Sequence, residues 1–157
     1  MVTKTAGEST VVNVDLGLVD LLNGLIAAIV SGLRSPQWTS EGEDPGKIPV
    51  RSLCNILHEM QQEAEFARDL RYLDFRRIGD NSVSDALGDF LFLGGAWDAH
   101  RVPNPRITTI TLSEPRAKNR IRQLESEYGL EAIQRLTRMA DRFILSLRAN
   151  ARPASQH

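Results

Sequence analysis

The stretch "SVSDALGDFLFLGGAWDAH", residues 82–100, decides the fold. With a period of 3.6, Val83, Leu87, Phe90, Leu91 and Trp97 share one broad face, and Asn81 or Ser82 stands where a helix cap belongs. As extended chain, "DFLFLGGAW" would instead form a strand facing "ITTITL" at 107–112, with "DAHRVPNPR" as a long loop between them. The helical reading is adopted over 82–99, ending near Gly94–Gly95. The strand at 107–112 must then find a partner, since unpaired backbone donors and acceptors are costly to bury. Its choices are "TVVNV" at 10–14, a second subunit or the 82–100 run itself, unless the segment is merely extended.

Outward from that run the chain reads as helices. Leu18, Leu22, Leu25, Ile26, Ile29 and Leu33 fall on one helical face, with Asp20, Asn23, Ala27, Ser31 and Arg34 opposite, and Asn13 or Asp15 as cap. "SPQWTSEGEDPGKIP" (35–49) is a Pro/Gly/acidic connector. Its "GEDPGKI" imitates a phosphate loop, but has three residues between the glycines and Ile48 where a magnesium-binding hydroxyl belongs. Pro49 opens a second helix, predicted to run to about Phe75 with Val50, Leu53, Leu57, Met60, Ala64 and Ala67 inside, before "RRIGDN" breaks it. Ser113 and Pro115 start a further helix whose stripe is Ala117, Ile121, Leu124 and Tyr128; Gly129 ends it. The last helix, 130–149, carries Ile133, Leu136, Ala140, Phe143 and Leu147 at the spacing of a coiled-coil seam. The expected fold is mostly α: a single-domain bundle of about five helices over 13–149, with at most a short β element at 107–112. Residues 1–12 and 150–157 are expected as tails.

The 157 residues suffice for one domain with a real core. The apolar run from Leu16 to Leu33 is interrupted by Asp20, Asn23 and Gly24, which excludes a membrane span, and Asp15 and Asp20 stand where a secretory signal needs basic residues. Cys54 is the sole cysteine, so no intrachain disulfide forms, consistent with a cytoplasmic setting. Charge is unevenly placed. Residues 1–100 carry 8 Lys/Arg against 15 Asp/Glu, whereas residues 101–157 carry 11 against 5. Such a split implies self-association through opposed charge, a basic face for an anionic partner, or neutralisation of one half by the other within the fold.

Four carboxylates are the best candidate for chemistry. Glu59 and Glu63 are four apart on the second helix, and Asp85 and Asp89 are four apart on the third. Like charges at that spacing repel by roughly 0.2–0.5 kcal/mol per pair, so two such pairs point to a neutralising cation. Converging between antiparallel helices they would suit Mg²⁺ or Mn²⁺, which prefer oxygen ligands. "HEMQQE" (58–63) followed by "SDALGDFLFLGG" (84–95) resembles the MazG-type nucleotide pyrophosphohydrolases. That resemblance implies an all-helical, magnesium-dependent enzyme in which Glu59, Glu63, Asp85 and Asp89 hold metal on a nucleoside triphosphate. Met60 and Ala86 stand where that pattern has two further acids. The bland alternative pairs the glutamates with arginines of "ARDLRYLDFRR" and leaves the aspartates on a solvated helix start.

Other constellations are thinner. Gln62 replaces the second histidine of a zinc-binding H-E-x-x-H helix, and Cys54 with His58, four apart, has no third group to orient it. His58 could also meet His100 in space. Arg116, Lys118, Arg120 and Arg122 surround one helix stripe, and Arg135, Arg138 and Arg142 form a ridge on the next. Such ridges can track phosphates in nucleic acid, although Glu125, Glu127, Glu131 and Asp141 are interleaved. The leading expectation is a small helical protein that acts by association, as adaptor, regulator or inhibitor, and self-associates as a homodimer through its opposed charges, its C-terminal seam or its strand. The metal-dependent nucleotide hydrolase and the nucleic-acid binder stand behind it.

Overall fold

The computed structural model describes residues 16–35, 46–94, 98–101 and 107–151. Its helices are α1 (Leu18–Leu33), α2 (Val50–Gln61), the single turn α3 (Ala64–Ala67), α4 (Asp85–Gly94), α5 (Glu114–Tyr128) and α6 (Leu130–Ala151). Its strands are β1 (Lys47–Pro49), β2 (Phe75–Ile78), β3 (Asn81–Ser84), β4 (Asp98–Arg101) and β5 (Ile107–Thr111). The mostly α bundle is what the sequence predicts, with more strand than the sequence announces. α6 continues through Ala151, past the boundary expected at 149.

α1 is the central rod. Leu21, Leu22, Leu25, Ile26, Ala27, Ile29, Val30 and Leu33 are each no more than 2% exposed. Ala27, expected on a polar face, is therefore inside, because α5, α6 and β1 all pack on α1. α5 runs antiparallel to it, Asp20 lying opposite Tyr128 and Gly24 opposite Leu124. α6 runs parallel to it, Gly24 against Leu136 and Gly32 against Ile144. These glycines are notches: a Cβ on Gly24 would lie 2.6 Å from Leu136 Cδ1, and one on Gly32 2.7 Å from Ile144 Cδ1. The predicted seam of α6 is spent here, since Leu136, Ala140 and Phe143 are buried in the chain's own core and Ile133 and Leu147 pack against it.

The predicted strand at 107–112 is real and fully partnered within the chain. β5 pairs antiparallel with β1 on one side and with β4 on the other. Ile48 sits opposite Ile110, both wholly buried. Arg34, just past α1, donates to the Leu112 carbonyl at 2.5 Å and fastens this sheet to the central helix. "TVVNV" lies outside the described residues.

Two helix boundaries differ from expectation. The second helix does not reach Phe75: it ends at Gln61, and the chain turns back through α3. Gln61 stabilises that reversal, its side-chain amide donating to the carbonyls of Leu70 at 2.8 Å and Leu73 at 2.5 Å. "RRIGDN" then proves to be a hairpin rather than a simple break. β2 and β3 pair antiparallel, Ile78 opposite Asn81, around a two-residue Gly79–Asp80 turn. Gly79 has φ +64°, a left-handed conformation that glycine adopts without steric penalty. Consequently Ser82–Ser84 are strand, and the helix expected over 82–99 starts at Asp85, its first turn capped by Ser84 Oγ accepting from the Leu87 amide at 3.2 Å. α5 follows the sequence closely: Ser113 Oγ accepts from the Arg116 amide, Pro115 lies in the first turn, and Gly129 ends the helix.

Phe143 of α6 is fully buried in the hydrophobic core. Phe143→Ala is expected to lose about 3–5 kcal/mol of stability, read as a lower urea midpoint at unchanged slope.

Candidate functional site: a charge lattice and a polar cleft

The helical period aligns Arg135, Arg138, Arg142 and Ser146 along one face of α6, and that face meets α2–α3. Arg135 Nη2 lies 2.6 Å from Asp69 Oδ2, and Arg138 Nη1 lies 3.4 Å from Glu65 Oε2. Arg142 is the centre of the lattice. Its Nε donates to Glu63 Oε1 at 3.1 Å while Nη2 donates to Glu63 Oε2, a bidentate fork. Nη2 also lies 3.7 Å from Glu59 Oε1, and Nη1 donates to Ser146 Oγ, which donates to Glu59 Oε1 at 3.2 Å. The hydrogen bonds to Glu63 push the Arg142 guanidinium further up its already high range against the opposing effect of burial. The order of contacts shows that α6 crosses α2–α3 antiparallel. Acidic and basic portions of the chain thus neutralise each other internally along this seam, with "ARDLRYLDFRR" supplying Asp69 as an acceptor rather than arginines as donors to the glutamates.

This arrangement separates the four carboxylates. Glu59 and Glu63 face Arg142, whereas Asp85 pairs with Arg76 of β2 at 3.1 Å, and both of those groups are well exposed. Asp89 is exposed on α4. Among the described residues no three or more His, Cys, Asp or Glu side chains are grouped to hold a metal ion. The physical reason is the hairpin: β3 packs against both α2 and α4 and stands where a direct helix–helix contact was expected. The basic residues are divided as well. Arg135, Arg138 and Arg142 turn to the acids of α2–α3, while Lys118 pairs with Glu114 one turn back at 3.3 Å. Arg120 and Arg122 line a recess of about 650 Å³ beside Asp20 and Asn23. Burial, and then the nearby Arg116, pull the Arg120 guanidinium down.

A second constellation lies between α2 and the hairpin, and the sequence did not announce it. His58 stacks on Phe75, ring centroids 4.8 Å apart at 17°. His58 Nδ1 shares a hydrogen bond of 2.7 Å with Ser82 Oγ. The Ser82 amide donates to Asn55 Oδ1 at 2.7 Å, and Asn55 Nδ2 donates to Asn81 Oδ1 at 3.5 Å. Asn55 and His58 therefore clamp β3, and a polar cleft of about 350 Å³ opens beside them, reaching Gln62, Arg77 and Asp80. The signal for it was the Gly79–Asp80 dipeptide, which specifies the turn that brings Ser82 to His58. Cys54 stands one turn before His58 with its thiol pushed up by burial, the environment of a packing residue rather than a nucleophile. Trp38 and Trp97 lie outside the described residues, as do the side chain of His100 and any contact it makes.

Removing one partner of the Arg142–Glu63 fork leaves the other charge half-buried. Arg142→Met is expected to lose about 1–3 kcal/mol, and a double-mutant cycle with Glu63→Gln to show coupling above about 1 kcal/mol. A coupling near zero would show that the lattice contributes nothing. Tyr128 provides a pH test. Its hydroxyl donates to Asp20 Oδ2 at 2.5 Å, which pushes the phenol up to about 12, first through that hydrogen bond and then through burial and the acids beside it. A group raised in the folded state stabilises fully below its unfolded value, near 10, and that stabilisation fades as pH climbs through about 12. Ultraviolet titration of the phenols is expected to show one ionising near 12, returning toward 10 in Asp20→Asn.

No protein-family model matches this chain, and neither the curated proteins nor the solved structures include a match to it.

Proposed function

We propose that this chain acts by association, as a small helical module that pairs with a second copy of itself. Several of the residues that would carry the competing chemistries, Glu59, Glu63, Arg135, Arg138 and Arg142, are already engaged within the chain. A metal seeking Glu59 and Glu63 would have to displace Arg142, and a phosphate backbone seeking the α6 ridge would have to displace Asp69, Glu65 and Glu63. No described helix is long and apolar enough to cross a membrane.

The observation that carries the reading lies where α1 begins and α5 turns into α6. Val19 is 60% exposed and Leu130 58% exposed, on either side of the Asp20–Tyr128 hydrogen bond. Exposed aliphatic side chains at helix ends, with an aromatic residue and polar groups close by, have the composition of a protein contact. The association surface expected from sequence moves accordingly. The α6 seam is buried and β5 is paired on both edges, so neither recruits a second chain.

Size-exclusion chromatography with light scattering over a concentration series tests this. The expected result is a reversible dimer that weakens about tenfold in Val19→Asp or Leu130→Asp, the loss of one buried aliphatic group. A monomer at every concentration, or a dimer indifferent to both substitutions, overturns the reading.

A further inference from the structure

We propose that the cleft between α2 and the β2–β3 hairpin binds a small neutral polyhydroxylated ligand of the monosaccharide class. Its chemistry points there in four steps. First, Asn55, His58, Glu59 and Gln62 on one side and Arg77, Asp80 and Ser82 on the other are all polar, so a ligand must be held by hydrogen bonds rather than by apolar burial. Second, the floor is fixed in advance. His58 is locked by its stack on Phe75 and its bond to Ser82, and Asn55 is locked by the Ser82 amide, so these groups pay little entropy on binding.

Third, the rim consists of planar forks. The Gln62 amide, the Arg77 guanidinium and the Asp80 carboxylate each offer two hydrogen-bonding positions side by side, matching a pair of adjacent hydroxyl groups that both donate and accept. Fourth, the charges select against the alternatives. Glu59 is already met by Arg142, and the Arg77 guanidinium and Asp80 carboxylate offset each other, so the cleft has no net charge to favour a phosphate or carboxylate ligand, and the absence of a three-ligand cluster among the described residues disfavours a bare divalent cation. The cleft of about 350 Å³ lies at the small end of ordinary ligand pockets, which suits one sugar ring. The inference does not depend on self-association, since none of these residues belongs to the Val19–Leu130 surface.

The test is a ¹⁵N-correlation titration of the full chain with glucose, galactose, mannose and ribose, with inorganic phosphate and methylammonium as charged comparators. At least one sugar is expected to give saturable shifts confined to the C-terminal half of α2 and the β2–β3 hairpin. Gln62→Ala and Asp80→Asn, both exposed positions outside the clamp and the second keeping a turn-favouring residue, are expected to weaken that binding about tenfold or more with an unchanged thermal midpoint, while Arg122→Ala leaves it intact. Absence of saturable shifts with every sugar, shifts located elsewhere, binding unaffected by both variants, or saturation by phosphate or methylammonium instead would each overturn the proposal.

Discussion

The constraint on which the rest depends is that α1 is apolar almost all the way round. A helix of that kind has little solvent face beyond its first turn, so folding requires neighbours on most sides. Each Leu or Ile withdrawn from water contributes on the order of 1.5–3 kcal/mol, and α1 supplies Leu21, Leu22, Leu25, Ile26, Ile29 and Leu33 to the core. α5 and α6 provide two walls and β1 contributes to a third. The spacing of the notches then sets how the walls lie. Gly24 and Gly32 are eight residues apart, as are Leu136 and Ile144, so a parallel α6 places both leucine-sized side chains into both gaps at once.

Once α6 is placed on α1, its outer face carries Arg135, Arg138 and Arg142 to the acids of α2–α3. The lattice is therefore a consequence of core packing more than a cause of it. Its members differ in worth. The Arg138–Glu65 contact is exposed on both sides and falls in the class that contributes little. The Asp69 carboxylate, with its side chain 14% exposed, and the forked Arg142–Glu63 pair are shielded enough to matter. Breaking either leaves a charge that water reaches poorly, which is why removal of one partner is more damaging than the net value of the pair implies.

Local features were legible in the sequence. The Ser113–Pro115 start of α5, the α6 stripe and the strand at 107–111 all came from residues near one another in the chain. The tertiary partners were not. Glu63 and Arg142 are 79 positions apart, and the periodicity of each helix says that a charge faces something without saying what. That is why Glu59, Glu63, Asp85 and Asp89 read as one quartet: repulsion at i,i+4 is visible locally, whereas the guanidinium that relieves it is not. The clamp of β3 was missed for a different reason. A four-residue hairpin arm is too short to show a period of two, so "RRIGDN" read only as a break and concealed the strands on either side.

The internal lattice also bears on what this surface can do for others. An external ligand at Glu59 and Glu63, or on the α6 ridge, competes against groups already held in place by the same chain. Displacing a half-buried charged hydrogen bond of about 1.5–3 kcal/mol reduces the affinity of such a ligand by about tenfold to a hundredfold. Among the described residues, the groups without such an internal competitor include aliphatic side chains that the core left outside, such as Val19 and Leu130, and the side chains of Gln62 and Asp80 on the rim of the hairpin cleft. A ligand or partner would gain more at surfaces where binding adds contacts than at the acids and arginines whose contacts binding would first have to break.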